Sequence, residues 1–436
     1  MPTPLKTLAL GVGSFAQGIL RPLRESGTQV ETYLTRSYGH AGPSTEGPTF
    51  DSAHFPNLPQ LLAAQQPDLI IPQSIDWSQK PWAPTVIRDK WPILSPTGDA
   101  LLLERDRDFS RHLGSTHGIP FPESIVIPTR AEAEQWVKQA KKGFVLKNPL
   151  CSPNSPLHTI VSRSADETLA WLPRINDSEG IFLQEYAGWK EMGHIALVSA
   201  GEIHSLISNQ EYKYAFTGNQ GIVAGAPLGG IVELDPSDRY GLARRFLHPL
   251  QSWFRETNFH GPVQITAMLS DRGWVALEYN VRLGVTCGPV IMRLLRNAAQ
   301  TLRRVALNEP IKPEFDDSQP FACSLTLAGQ GYPYTQLDAP SFPIHIQGNP
   351  TCDVYWNEAT IRDQRWWSTG HRIADIVARG RTLPQAVALA YENIARLQCA
   401  GTYYRTDVGC SLQPGLLSPI HPGKIANSVG ETIDVA

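Results

Sequence analysis

The strongest constraint on this chain is its opening. The apolar run Leu5 to Leu10 enters a glycine turn, Gly11-Val-Gly13-Ser-Phe-Ala-Gln-Gly18, after which Ile19 to Arg24 can begin a helix. A strand that turns tightly into a helix is the first half of a parallel β-α-β unit. The alternation continues: Leu58 to Gln65 is helix-like, Asp68 to Pro72 (DLIIP) is an apolar burst, and Trp91 to Ser95 (WPILS) supplies another strand candidate. Strands alternating with helices predict a parallel sheet covered on both faces.

After about residue 105 the pattern changes. Arg107 to His117 reads as a helix stopped by Gly118-Ile-Pro120, and Phe144-Val-Leu-Lys147 as a compact strand. Ile181 to Glu185, Ile195 to Val198, Val263 to Leu269 and Trp274 to Glu278 are further strand-like runs between turn-rich stretches, which predicts an α+β body. Past Pro310 a third segment holds Cys323 to Ala328, a turn at Gly331-Tyr-Pro333 and the helix-like Leu383 to Gln398. A chain of 436 residues exceeds one hydrophobic core, so the expected division is 1–105, 106–310 and 311–415, with a polar, turn-rich tail over 416–436. The fold class is therefore α/β and α+β, multidomain.

The composition, 42% hydrophobic and 18% charged, is that of a globular protein and does not indicate disorder. A net charge of −3 offers no basic field to gather a nucleic-acid backbone, so nucleic acid is not an expected partner. The six cysteines include no CxxC pair, which argues against a zinc ribbon or dithiol motif and fits a reduced cytoplasm. No window approaches the roughly 20 apolar residues of a membrane helix. The N-terminal apolar run ends in a glycine turn and not in a cleavage site, so a soluble cytoplasmic protein without a membrane partner is expected. The histidines form no HExxH; His194, His204 and His260 are expected to be hydrogen-bonded structural residues, and Cys287 a buried small hydrophobe.

Chemistry is most legible in Val275-Ala-Leu-Glu278-Tyr-Asn280-Val-Arg282. On a strand, side chains alternate with period two, so Glu278, Asn280 and Arg282 share one face. Two oxygen donors suit Mg²⁺, and a guanidinium beside them suits a transferring phosphoryl group. A half-buried strand with a polar outer face accounts for the same spacing. The Gly11-Val-Gly13 turn is equally open: it can bind an anion at a helix N-terminus, or need its glycines for geometry alone.

This stretch resembles the ExNxR signature of ATP-grasp enzymes, and its surroundings resemble the phosphoribosylamine–glycine ligase family, which makes glycinamide ribonucleotide in purine synthesis. The resemblance runs in order from the first glycine turn through Ser95-Pro-Thr97, Phe144 to Lys147 and Glu278 to Arg282. It continues into Gly331-Tyr-Pro333, Thr369-Gly-His-Arg372 and Tyr404-Arg-Thr-Asp407-Val-Gly409. It implies a Rossmann-like N-terminal domain, a central ATP-grasp unit and a small α+β C-terminal domain. It also implies ATP and Mg²⁺, with Mn²⁺ as the substitute metal, small carboxylate and amine substrates, and a monomer or homodimer.

Residue by residue, the resemblance implies that Lys147 contacts the ATP phosphates as a point charge, with Arg107 standing where the family has a lysine. Backbone groups of Glu185, Tyr186 and Ala187 would read adenine, and Glu191 would bind the ribose hydroxyls. Glu278 and Asn280 would hold the metal, while Arg282 and Lys213 would act on the reacting groups. Gly13, Ser14, Phe15, Glu211, Gly225 and Thr286 would line the substrate side. There the chain departs from the pattern. The family's first turn resembles GNGGREHA and uses polar residues around the phosphoribosylamine phosphate; here Gly13-Ser-Phe-Ala-Gln-Gly18 lacks the Arg and His, and Phe15 suggests an apolar or stacking surface. The glycine-rich phosphate loop is replaced by Asn148-Pro-Leu-Cys-Ser-Pro-Asn-Ser-Pro156, whose prolines stiffen it. The expectation is a divergent paralogue that joins an acid and an amine other than glycine and phosphoribosylamine through an acyl phosphate. A divergent ligase of the housekeeping pair and a catalytically silent ATP-binding scaffold are the alternatives.

Overall fold

The computed structural model describes residues 4–35, 44–51, 55–151, 159–188, 190–334 and 340–409, together with the backbone of two short strands, Lys424–Ala426 and Thr432–Asp434. Apart from those two strands, the tail over 416–436 lies outside the described residues, as does most of the proline-rich loop.

The chain opens with β1 (Lys6–Leu10), α1 (Gly13–Glu25), β2 (Gln29–Leu34), β3 (Thr49–Asp51), α2 (Leu58–Gln65) and β4 (Leu69–Pro72). The sheet order is β3-β2-β1-β4, all parallel. β4 is buried at every position, the signature of a strand covered on both faces. Two expectations change here. The helix begins at Gly13, not at Ile19, because the turn closes on Gly13 at φ +70° and Ser14 is already helical. Trp91 to Ser95 forms no extended strand; Ile93 makes a single parallel bridge to Ile70. Gly18 lets α1 approach the helix Gly288–Leu294: a Cβ there would lie 2.4 Å from Pro289 Cγ.

Next comes α3 (Arg107–Thr116), capped by Asp106, whose carboxylate accepts the N–H groups of Asp108 and Phe109. A small antiparallel sheet follows, built from β5 (Ser124–Ile127), β6 (Phe144–Lys147), β7 (Ile160–Val161) and β8 (Ile181–Glu185) in the order β5-β8-β6-β7. Its core is closed by α4 (Arg130–Ala140) and α5 (Ala165–Trp171).

The large sheet is antiparallel. Its strands are β9 (Lys190–Ser199), β10 (Glu202–Glu211), β13 (Gly229–Leu234), β14 (Gly261–Ser270) and β15 (Gly273–Asn280), with a hairpin β11 (Tyr214–Phe216) and β12 (Gln220–Val223) rising from it. It continues with β16 (Phe321–Gly329), β18 (Asp353–Trp356), β21 (Arg372–Gly380) and β23 (Thr402–Tyr403). The order is β15-β14-β9-β10-β13-β16-β21-β18, with β23 paired to β16. The expected division at 310/311 thus falls inside one continuous sheet, since β13 and β16 pair from Gly229↔Leu325 to Glu233↔Phe321. A further sheet, β19-β20-β17-β22, is formed by β17 (Pro343–Ile346), β19 (Ala359–Arg362), β20 (Arg365–Ser368) and β22 (Leu397–Cys399). Helix α6 (Leu383–Ile394) ends before the expected Gln398, because Leu397 to Cys399 leave the helix to pair with β17.

Candidate active site

Glu278 stands near the end of β15, where Asn280 follows on the same face and Arg282 lies just past the strand. Around the Glu278 carboxylate the fold gathers cations from three separate elements. Arg107, the first residue of α3, donates from Nη1 to Glu278 Oε2 at 2.9 Å, and its Nε donates to the Asn148 carbonyl at 3.1 Å. Lys213, two residues after β10, lies 2.8 Å from Glu191, 3.6 Å from Glu211 and 3.8 Å from Glu278. Lys147, the last residue of β6, is buried beside them.

The charges set one another's protonation. Burial alone would raise the Glu278 carboxyl, yet Lys147, Lys213 and Arg107 hold it far below the usual carboxylate range. Burial pushes the Lys147 ammonium down to about 8, opposed by Glu278 and reinforced by Arg107 and Lys213. Lys213 goes the other way: burial is outweighed by Glu191, Glu211 and Glu278, which keep it protonated. The Glu211 carboxyl is raised by burial against the pull of Lys213. Arg282 donates from Nε to Glu104 Oε1 at 3.1 Å, and Glu104 Oε2 accepts the Val281 N–H at 2.6 Å, so Arg282 is fixed by Glu104 while its charge also acts on Glu211.

The remaining expected site residues are distributed as follows. Glu185 closes β8; its N–H donates to the Glu123 carbonyl at 2.8 Å and its carboxylate accepts from Lys142 at 2.9 Å, while Tyr186 and Ala187 follow half-buried. Glu191 faces Lys213. Gly225 is exposed in a segment whose Ala224 N–H donates to the Lys213 carbonyl, whereas Thr286 is buried with its methyl against Gly230. The first turn is different from what was expected. Phe15 is 1% exposed and packs with Ile19 and Leu20 in the core beneath β1, so it presents no stacking surface; Ser14 is likewise buried, and Gly13 abuts Asn357.

Sequence reasoning gave no role to Glu104, Asn357 or Asp375, because each acts through a partner far along the chain. Arg372, seen only as part of a C-terminal signature, donates from Nη1 to the carbonyl of Pro227 at 3.0 Å and from Nη2 to Asp375 Oδ1 at 3.1 Å. That ties β21 to the segment facing Lys213. Arg405, of the Tyr404–Gly409 signature, is fully buried and pairs with Asp407 at 2.6 Å, holding the hairpin through the Tyr214 carbonyl. His194 is hydrogen-bonded to Ser208 at 3.0 Å inside a buried trio with Asp235 and Asp238. The trio's carboxylates already accept the N–H groups of Arg239, Ala243 and Arg244, which makes it structural.

The donor set fits a magnesium nucleotide. Glu278 and Asn280 offer oxygens on one strand face, three cations surround them, and Asn148 Oδ1, next to Lys147, is buried with no partner among the described residues. Among the described residues no helix is long and apolar enough to cross a membrane.

Residues 322–411 match the family model for the phosphoribosylglycinamide synthetase C domain. The chain is 24% identical to the phosphoribosylamine–glycine ligase of Leifsonia xyli over 434 residues, 93% of this chain and 99% of that one. It is 24% identical to the enzyme of that name from Clostridium acetobutylicum over 333 residues, 73% and 79% of the two chains. Among solved structures, the phosphoribosylamine–glycine ligase of Thermotoga maritima superposes with a TM-score of 0.72 at 21% identity, covering 93% of this chain and all of that one. The biotin carboxylase domain of Hydrogenobacter thermophilus 2-oxoglutarate carboxylase superposes at 0.65 with 14% identity, covering 92% and 91% of the two chains. The fold is thus the mixed α/β multidomain fold these proteins share; residues 322–411 match the C domain of phosphoribosylglycinamide synthetase, and relatives named phosphoribosylamine–glycine ligase align with up to 93% of the chain.

Proposed function

We propose that this protein is an ATP-dependent ligase that joins a carboxylate to an amine through an acyl phosphate, releasing ADP and phosphate. The observation that carries the reading is the convergence of Arg107, Lys147 and Lys213 on the Glu278 carboxylate from three different elements. Magnesium bound by Glu278 and Asn280 would neutralise phosphate charge. Lys147 and Arg107 would hold the nucleotide phosphates, and Tyr186 and Ala187 with Glu191 would bind adenine and ribose. Lys213 is kept protonated by its carboxylates and supplies a fixed positive charge where negative charge develops on the transferred group. In the first half-reaction a carboxylate oxygen bonds to the γ-phosphorus as its bond to ADP breaks. In the second the amine nitrogen bonds to the acyl carbon, loses a proton, and phosphate leaves with that oxygen. Oxygen-18 in the acid should therefore appear in released phosphate, and formation of AMP and pyrophosphate would sink the reading.

For the substrates, the comparisons support phosphoribosylamine and glycine better than the expectation of another acid and amine, since the relatives carry that name. They equally favour an enzyme over a silent ATP-binding scaffold. One local observation favours a different amine: the first turn is closed by the protein's own side chains. Steady-state turnover of phosphoribosylamine and glycine decides. A specificity constant on the order of 10⁴ M⁻¹s⁻¹ or higher establishes the relatives' pair, and no turnover excludes it.

A further inference from the structure

We infer that Asp375 is a specificity-determining residue: its carboxylate takes the place of a ligand anion at the N-terminus of α1, so the first turn does not bind a phosphate-bearing amine. The inference rests on the ligase reading and parts from the relatives' substrate pair at the phosphate of phosphoribosylamine.

Helix α1 starts directly after β1, where free N–H groups and the aligned peptide dipoles favour negative charge. In this chain part of that demand is met internally, and the carboxylate reaches the helix end through the Ser14 hydroxyl. The Ser14 N–H donates to Asn357 Oδ1 at 2.7 Å and the Val12 N–H to Gln73 Oε1 at 3.1 Å. Ser14 Oγ donates to Asp375 Oδ2, which also accepts from Asn357 Nδ2 at 3.2 Å. The other oxygen, Oδ1, accepts from Thr326 Oγ1 at 2.5 Å and from Arg372 Nη2 at 3.1 Å. Asp375 is 2% exposed, so the anion at the helix end is a permanent part of the core. It also consumes the nearest guanidinium, since the rest of Arg372 is spent on the Ala226 and Pro227 carbonyls. An arriving phosphate would meet a buried like charge and a spent cation, both of which disfavour binding. The approach of Asn357 is close enough to require glycine at position 13: a Cβ there would lie 2.2 Å from Asn357 Oδ1.

The test is ribose 5-phosphate binding by calorimetry, with inorganic phosphate as competitor, on the full chain and on Asp375→Gly and Asp375→Asn. The native protein should give no saturable binding. Asp375→Gly should gain phosphate-competed binding tighter by about tenfold or more, the scale of one charge-assisted contact. Asp375→Asn, which keeps the side-chain shape, guards against collapse of the glycine variant and should gain less. Mg-ATP binding in the same samples reports folding and tests the ligase reading separately. Native binding as tight as that of the variants overturns the inference, as does a folded Asp375→Asn with no gain.

Discussion

Glu278 and Lys147 show how the charge cluster turns into measurable behaviour. Removing the Glu278 charge should leave three cations underpaired and weaken the proposed metal site, so Glu278→Gln is expected to lose turnover on the order of 10² or more while keeping its fold. Comparison of kcat with thermal stability checks this, and equal loss in both would refute it. Lys147 carries a pH signature. Its ammonium, brought to about 8 by burial, deprotonates in the nucleotide-free protein above that pH, so kcat/KM for ATP should fall there, and Lys147→Arg should remove that limb. The sign for stability is opposite: between about 8 and 10.5 the unfolded chain binds more protons, so this group makes stability rise with pH. The strands that carry these residues were legible as local patterns, whereas their roles came from the family resemblance, since the Glu278 to Arg282 spacing alone also fits a half-buried strand. Asp375 was not legible, since its Ser14 partner is 361 positions away and only the folded sheet brings them together.

Element boundaries follow the same rule. Phe144 to Lys147 and Ile181 to Glu185 were legible to the residue because apolar runs bounded by turns define short strands. The end of α6 and the single bridge at Ile93 were not, because each is decided by which strand lies alongside. The start of α1 was missed for a different reason: apolar periodicity begins at Ile19, but the helix begins where the glycine turn permits it. Its packing makes a prediction. Gly18→Ala puts a methyl 2.4 Å from Pro289 Cγ, closer than carbon atoms approach. Overpacking of this kind costs about 1 to 3 kcal/mol, so the variant should melt at a lower temperature, and an unchanged melting curve would show that the two helices are free to part.

At the scale of the whole molecule, the large sheet binds the strands around the Glu278 cluster to the C-terminal residues. Its order runs from β15, with Glu278, through β9 and β10, which lead to Glu191 and Lys213, to β13, β16 and β21, with Arg372 and Asp375. Composition and turn signals suggested a boundary near residue 310, but backbone pairing ignores it: β13 bonds β10 on one side and β16 on the other. A fragment ending at residue 310 would therefore leave one edge of β13 and an apolar core face without partners. Such a fragment should not fold as a unit, and in the intact protein the nucleotide site and the C-terminal segment should melt together. Two probes can check this: a nucleotide-site signal such as Mg-ATP-dependent fluorescence, and hydrogen exchange along β16 and β21. Coincident transitions are expected; a soluble fragment 1–310 that binds Mg-ATP with native affinity would overturn the continuity argument and restore three independent domains.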